Sequence, residues 1–81
     1  MAENTVFPDG PLTPTERRLW DVLRNRPGKV FSRRELVALV MPGTIVEART
    51  IDVRVVGLRK KLGRHVARIR TVWGQGYCYD A

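Results

Sequence analysis

Basic side chains crowd the end of this sequence. Residues 48–81 carry Arg49, Arg54, Arg59, Lys60, Lys61, Arg64, Arg68 and Arg70 against only Asp52 and Asp80, a net +6, whereas residues 1–47 come to +1. Twelve of the fifteen cations are Arg. The planar guanidinium fork suits phosphate oxygens and guanine edges better than the ammonium of Lys does. The chemistry implied is recognition of a polyanion rather than bond-making. A merely solvated charged face would also be basic, and charge by itself does not separate the two. A membrane-surface patch would need an apolar opposing face rich in Trp and Phe, which is missing.

Catalysis and metal binding find little to work with. Cys78 and His65 are single, so neither a disulfide framework nor a zinc-ligand set can form within the chain. Asp52 stands near the start of a predicted helix, where it favours the helix dipole or pairs with a neighbouring Arg. Glu16 and Glu35 sit at capping positions. Gly74-Gln75-Gly76 is followed by no helix and so reads as a hairpin tip, not a phosphate loop. His65 is assigned to solvent or phosphate contact, and Cys78 to packing. No enzyme, metal or cofactor is expected.

The elements that position the cations follow from local signals. Residues 1–11 read as a lead-in, with Thr5–Phe7 a strand stub and Pro8–Pro11 a turn. Thr13-Pro14-Thr15-Glu16 is a capping box with Pro at the first helical position, opening a helix to about Asn25 with Leu19, Trp20 and Leu23 inward. Lys29–Phe31 is short and extended. Ser32-Arg33-Arg34-Glu35 is a second capping box, with Phe31 and Leu36 forming a hydrophobic staple. It opens a helix over 33–40 with Leu36, Leu39 and Val40 inward. After a loop at 41–47, a third helix covers about 48–62, and Thr44-x-x-Glu47 offers it an earlier start. Residues 65–72 and 77–80 then form a hairpin about the glycines. The class is α+β, a winged helix-turn-helix: three helices, then a C-terminal β-hairpin wing, with a reduced N-terminal sheet. The domain covers 12–81.

On the third helix, Ile51, Val55, Leu58 and Leu62 form a narrow core stripe. Opposite lie Arg49, Val53, Val56 and Lys60, with Gly57 beside them, Thr50 and Arg54 on one flank and Arg59 on the other. A helix lying in a DNA major groove has uses for this mixture. Val can touch thymine methyls, Arg can reach base edges or phosphates, and Gly allows close approach. The bland alternative is that Val53 and Val56 are incidental surface residues. In the hairpin, Arg68 and Arg70 alternate with Ile69, giving a cationic strand face suited to the minor groove or the backbone. Tyr79 is expected to pack against the third helix. For Trp73 and Tyr77, packing and DNA contact stay equally open.

The chain has 81 residues, 43% of them apolar, which fits one small domain with a core. No apolar run is long enough to span a membrane, no signal-peptide core opens the chain, and a reducing cytoplasm is the expected compartment.

Five segments occur in order: Leu12–Glu16, Val30–Leu36, Arg49–Val53, Leu58–Leu62 and Thr71–Tyr77. Together they resemble the effector domain of OmpR/PhoB-type response regulators of two-component systems, over roughly residues 11–80. The resemblance implies sequence-specific binding of double-stranded DNA in transcriptional regulation, with the third helix in the major groove. It carries over Arg49, Thr50, Val53, Arg54, Gly57, Arg59 and Lys60 as DNA contacts, and Thr71, Trp73 and Tyr77 as wing contacts, beside Arg68 and Arg70 from the charge pattern. It assigns Met41, Pro42, Gly43, Thr44, Ile45, Val46 and Glu47 to the loop that touches RNA polymerase in activating members. It implies a protein that is monomeric alone and forms head-to-tail pairs on direct repeats.

Trp73 stands where the family usually has a wing Arg, and Cys78 where another basic residue is common. Arg68 or Arg70 then compensates, or Trp73 packs or wedges. Val56 and Gly57 replace basic or polar residues, so an unusual base preference is expected. The family's opening four-stranded sheet is cut to one or two strands at most, and no receiver domain is present, as in an excised piece or a minimal member. A protein-binding adaptor on the same fold is the competing reading. RNA binding is weaker, for want of an aromatic stacking platform.

Overall fold

The computed structural model describes residues 11–63 and 68–80. Three helices precede a two-stranded hairpin: α1 Pro14–Arg24, β1 Val30–Phe31, α2 Arg33–Val40, α3 Arg49–Leu62, β2 Ile69–Val72 and β3 Gly76–Tyr79. The strand stub at Thr5–Phe7 and the assignment of His65 lie outside the described residues.

Both predicted capping boxes form. Thr13 Oγ1 accepts from the Glu16 backbone N–H at 3.1 Å, and the Glu16 carboxylate accepts from the Thr13 N–H at 2.9 Å. Ser32 and Glu35 do the same at 3.0 and 2.8 Å. Each box satisfies N–H groups that the first helical turn leaves without partners. Helix α3 has no such device: Ala48 is its N-cap and no side chain caps it. The start offered by Thr44-x-x-Glu47 is therefore not used.

The strands form one antiparallel sheet in the order β1-β3-β2. Phe31 and Thr71 flank Tyr77, and Val30 and Arg70 flank Cys78. The short β1 thus joins the hairpin to the segment between α1 and α2. Gly76 makes the join feasible, since its φ of 151° is one that L side chains rarely adopt and a Cβ there would run into the Phe31 carbonyl.

One core fills the space between the three helices and the sheet: Leu19, Trp20 and Leu23 of α1, Phe31 of β1, Leu36 and Val40 of α2, Ile51, Val55, Leu58 and Leu62 of α3, and Ile69 and Tyr77 of the hairpin. The α3 stripe is the expected one. Leu39 is a correction, being 51% exposed, while Val37 packs partly against the core. Helix α2 turns its Leu36–Val37–Val40 side inward, which carries Leu39 about 100° away from the centre of that face. Tyr79 packs partly against this core, and its ring also meets Trp20 of α1 edge-on at 5.5 Å. Cys78 is fully buried, as expected of a packed thiol.

Candidate nucleic-acid interface

With its core stripe turned inward, α3 offers three other surfaces, and they differ sharply. The flank toward the wing is closed by polar contacts. Asp52 receives the Tyr77 hydroxyl hydrogen bond at 2.6 Å and a guanidinium bond from Arg33 of α2 at 2.8 Å. Two turns further on, Arg59 donates to the Ile69 carbonyl at 2.9 Å and to Thr71 Oγ1 at 2.8 Å, and lies over the Tyr77 ring at 5.7 Å. Burial pushes the Tyr77 hydroxyl up to about 12, and the bond to Asp52 and its negative charge add to the effect. Tyr77 is therefore a neutral donor at ordinary pH. These contacts fix the angle between helix and hairpin, and they border a cleft of about 420 Å³ that also takes in Trp73, Gly74 and Gln75.

The flank toward α1 is closed differently. Lys61 donates to Glu16 Oε1 at 2.8 Å and to the Pro11 carbonyl at 3.2 Å. Burial alone would raise the Glu16 carboxyl. The Lys61 hydrogen bond, the Thr13 N–H and the Lys61 charge outweigh that and hold it below 4.5. Gly57 faces this pair. A Cβ at Gly57 would stand 2.8 Å from Glu16 Oε2. The missing side chain thus makes room for α1, a role the sequence reading, which gave it to close DNA approach, did not anticipate.

The third surface is open. Val53 and Val56 are 66% and 53% exposed. Arg54 and Lys60 are exposed and, like Arg34 and Arg68, have no ion pair or side-chain hydrogen bond among the described residues. Arg49 is exposed and, among the described residues, its one ion pair is with Glu47 at 2.7 Å, open to solvent on both sides. Such a pair contributes little and is easily exchanged for another anion. Arg49, Thr50, Asp52, Val53 and Arg54 line one shallow depression.

On the hairpin, Ile69 is buried and Arg68 and Arg70 are exposed, the alternation expected. Arg70 is nonetheless engaged, donating to both Asp80 oxygens at 2.8 and 3.2 Å. Thr71 is half-buried under Arg59 and Tyr77 is buried, so for Tyr77 packing is realised. Trp73 is 88% exposed at the hairpin tip, so packing is not realised there. In the 41–47 loop, Pro42, Gly43, Thr44, Ile45 and Glu47 are exposed, while Met41 packs partly against the core. A groove of about 370 Å³ runs between this loop and α2, lined by Arg34, Val37 and Met41 among others.

Sequence reasoning missed Arg33 and the bracing role of Asp52. The signal was partial, since Asp52 and Arg59 share one flank of α3 on the helical wheel. Nothing local points to Arg33, nineteen positions from Asp52, or to Tyr77, twenty-five away.

A three-helix domain with a helix-turn-helix, a β-hairpin wing and an open basic face on its third helix is a winged-helix domain. The family described as "Transcriptional regulatory protein, C terminal" matches residues 9–79. The chain belongs to that family, the OmpR/PhoB-type response regulator effector domains. It is 45% identical over 74 residues to the transcriptional regulatory protein BaeR of Escherichia coli, covering 86% of this chain and 31% of that protein. It is also 45% identical over 73 residues to the phosphate regulon regulator PhoB of Rhizobium meliloti, covering 86% and 32%. The chain thus spans about a third of the length of these curated relatives. Among solved structures, the DNA-binding domain of response regulator AdeR, in complex with an intercistronic region, aligns with a TM-score of 0.79 and 36% identity. That alignment covers 88% of this chain and 74% of that one. The family is a class of transcriptional regulators and not of enzymes. No helix among the described residues is long and apolar enough to cross a membrane.

Proposed function

We propose that this domain binds specific sites on double-stranded DNA in transcriptional regulation, with α3 in the major groove and the hairpin on the adjacent minor groove or backbone. The observation that carries the reading is the open strip of α3. Its core-facing side is saturated, both flanks are closed, and Arg54 and Lys60, unpaired among the described residues, stand around bare Val53 and Val56. Arg49, Thr50, Arg54, Lys60 and Arg68 are the direct contacts. Arg59, Thr71 and Tyr77 serve mainly by holding the wing, and Gly57 by seating α3 on α1. Arg70 contributes once Asp80 releases it. Trp73 meets the minor groove in place of an arginine.

Two finer assignments accompany this one. The exposed 41–47 loop faces a protein partner, RNA polymerase being the one the family implies. The domain, monomeric alone, occupies direct repeats as a head-to-tail pair. The fold and family support a cytoplasmic transcription regulator.

Titration of a selected duplex at several salt concentrations tests the reading. Each phosphate neutralised should contribute a log–log slope of about −0.9. Binding without salt dependence would overturn it. A two-site duplex should bind more tightly per site than a one-site duplex, and equal affinity would rule out the tandem pair.

A further inference from the structure

The centre of the open α3 face carries no hydrogen-bonding side chain. Val53 and Val56 are one helical turn apart and therefore neighbours on the surface. The groups that could substitute for them are engaged elsewhere. Arg59 is bound to the Ile69 carbonyl and Thr71, Asp52 to Tyr77 and Arg33, and Gly57 turns its bare Cα to Glu16. Polar readout is left to the ends of the strip, to Arg49, Thr50 and Arg54 at one and Lys60 at the other.

On the edges of unmodified base pairs in the major groove, the one apolar group is the thymine C5-methyl. We propose that Val53 and Val56 recognise thymine methyls, making one or two central thymines the specificity-determining positions of each half-site. This rests on the DNA-binding reading and deepens it. A single exposed Val would mean nothing. Here two adjoin, more than half exposed, on the strip that also carries Arg49 and Lys60. The surrounding cations fix the occupant as a polyanion rather than an apolar protein surface. β-Branched side chains are held in one χ1 rotamer on a helix, so the two methyl-bearing edges are ordered before DNA arrives and little entropy is lost on contact.

The probe is the tandem duplex recovered from a random-sequence DNA pool. Each thymine of its half-site is replaced singly by deoxyuridine, which removes the methyl and keeps every hydrogen-bonding edge. Binding should weaken about fourfold at each contacted thymine and less than about 1.5-fold elsewhere. In the double variant Val53→Ala/Val56→Ala those penalties should vanish, and Ala, the better helix former, keeps α3 intact. Tolerance of deoxyuridine at every position, a half-site without central thymine, or penalties that persist in the double variant would each overturn the proposal alone. Recovery of no duplex at all would overturn the DNA-binding reading with it.

Discussion

Arg54 and Arg59 sit five residues apart on the same helix, and the molecule uses them in opposite ways. Arg59 lies on the wing side, its guanidinium committed to the Ile69 carbonyl, Thr71 and the Tyr77 ring. Arg54 stands in the open with no such partner among the described residues. The same division runs through the rest of the basic segment. Lys61 and Arg70 are tied to carboxylates, whereas Lys60 and Arg68 have no ion pair or side-chain hydrogen bond among the described residues. A net charge therefore overstates the cations available to a ligand. Part of this basic segment braces the hairpin against α3, and only the remainder faces outward.

Paired substitutions separate the two roles. Arg54→Ala should weaken DNA binding by about 1–3 kcal/mol if Arg54 reads a base, with relaxed preference at one position. Its unfolding free energy should stay within about 0.5 kcal/mol of the parent, as for a surface change touching no partner. Arg59→Ala should show the reverse emphasis, losing about 1–2 kcal/mol of stability with its charge-assisted bonds. Chemical denaturation of both variants beside DNA titration checks this. Equal destabilisation by the two would erase the distinction drawn between the flanks.

A smaller effect sharpens the account of the wing side. The Tyr77 hydroxyl is raised from 10.0 to about 12, first by burial and then by Asp52. A proton held more tightly in the folded state stabilises that state below the unfolded value. The contribution is therefore complete below pH 10 and is lost as pH climbs toward 12. The protein should lose stability across that window, and Tyr77→Phe should remove the step while leaving the neutral-pH fold in place. An unchanged alkaline limb in Tyr77→Phe would show that the Asp52–Tyr77 bond does not act as a brace.

What the sequence revealed and what it hid follow from the range of the interactions. The two capping boxes and the α3 core stripe were legible because their partners lie within a turn or on one helical face. Leu39 was misread because α2 has apolar residues at 36, 37, 39 and 40, and an eight-residue helix so furnished has two plausible inward faces. Only the neighbouring helices decide between them. The Arg33–Asp52–Tyr77 link joins three elements, and no periodicity connects residues that far apart. Glu16 was half-read. Its capping role is local, while its bond to Lys61 depends on how α1 lies across α3.

Gly57 is where these readings can be set against each other most finely. Replacing Gly by Ala inside a helix gains about 1 kcal/mol. Here the added Cβ would lie 2.8 Å from Glu16 Oε2, while Glu16 Oε1 is held by Thr13 at 2.9 Å and Lys61 at 2.8 Å. The carboxylate can swing aside, but only by loosening the cap and the ion pair, at a cost of about 0.5–2 kcal/mol. Gly57→Ala should therefore leave stability near neutral pH within about 1 kcal/mol of the parent. The acid limb should change more visibly. Glu16 is held below 4.5 in the fold, so its contribution is present above that value and lost as pH falls below it. Loosening the contact should flatten the parent's decline there. DNA affinity should stay nearly constant. A tenfold loss of affinity with an unaltered acid limb would move Gly57 from the α1 side of the helix to the DNA side.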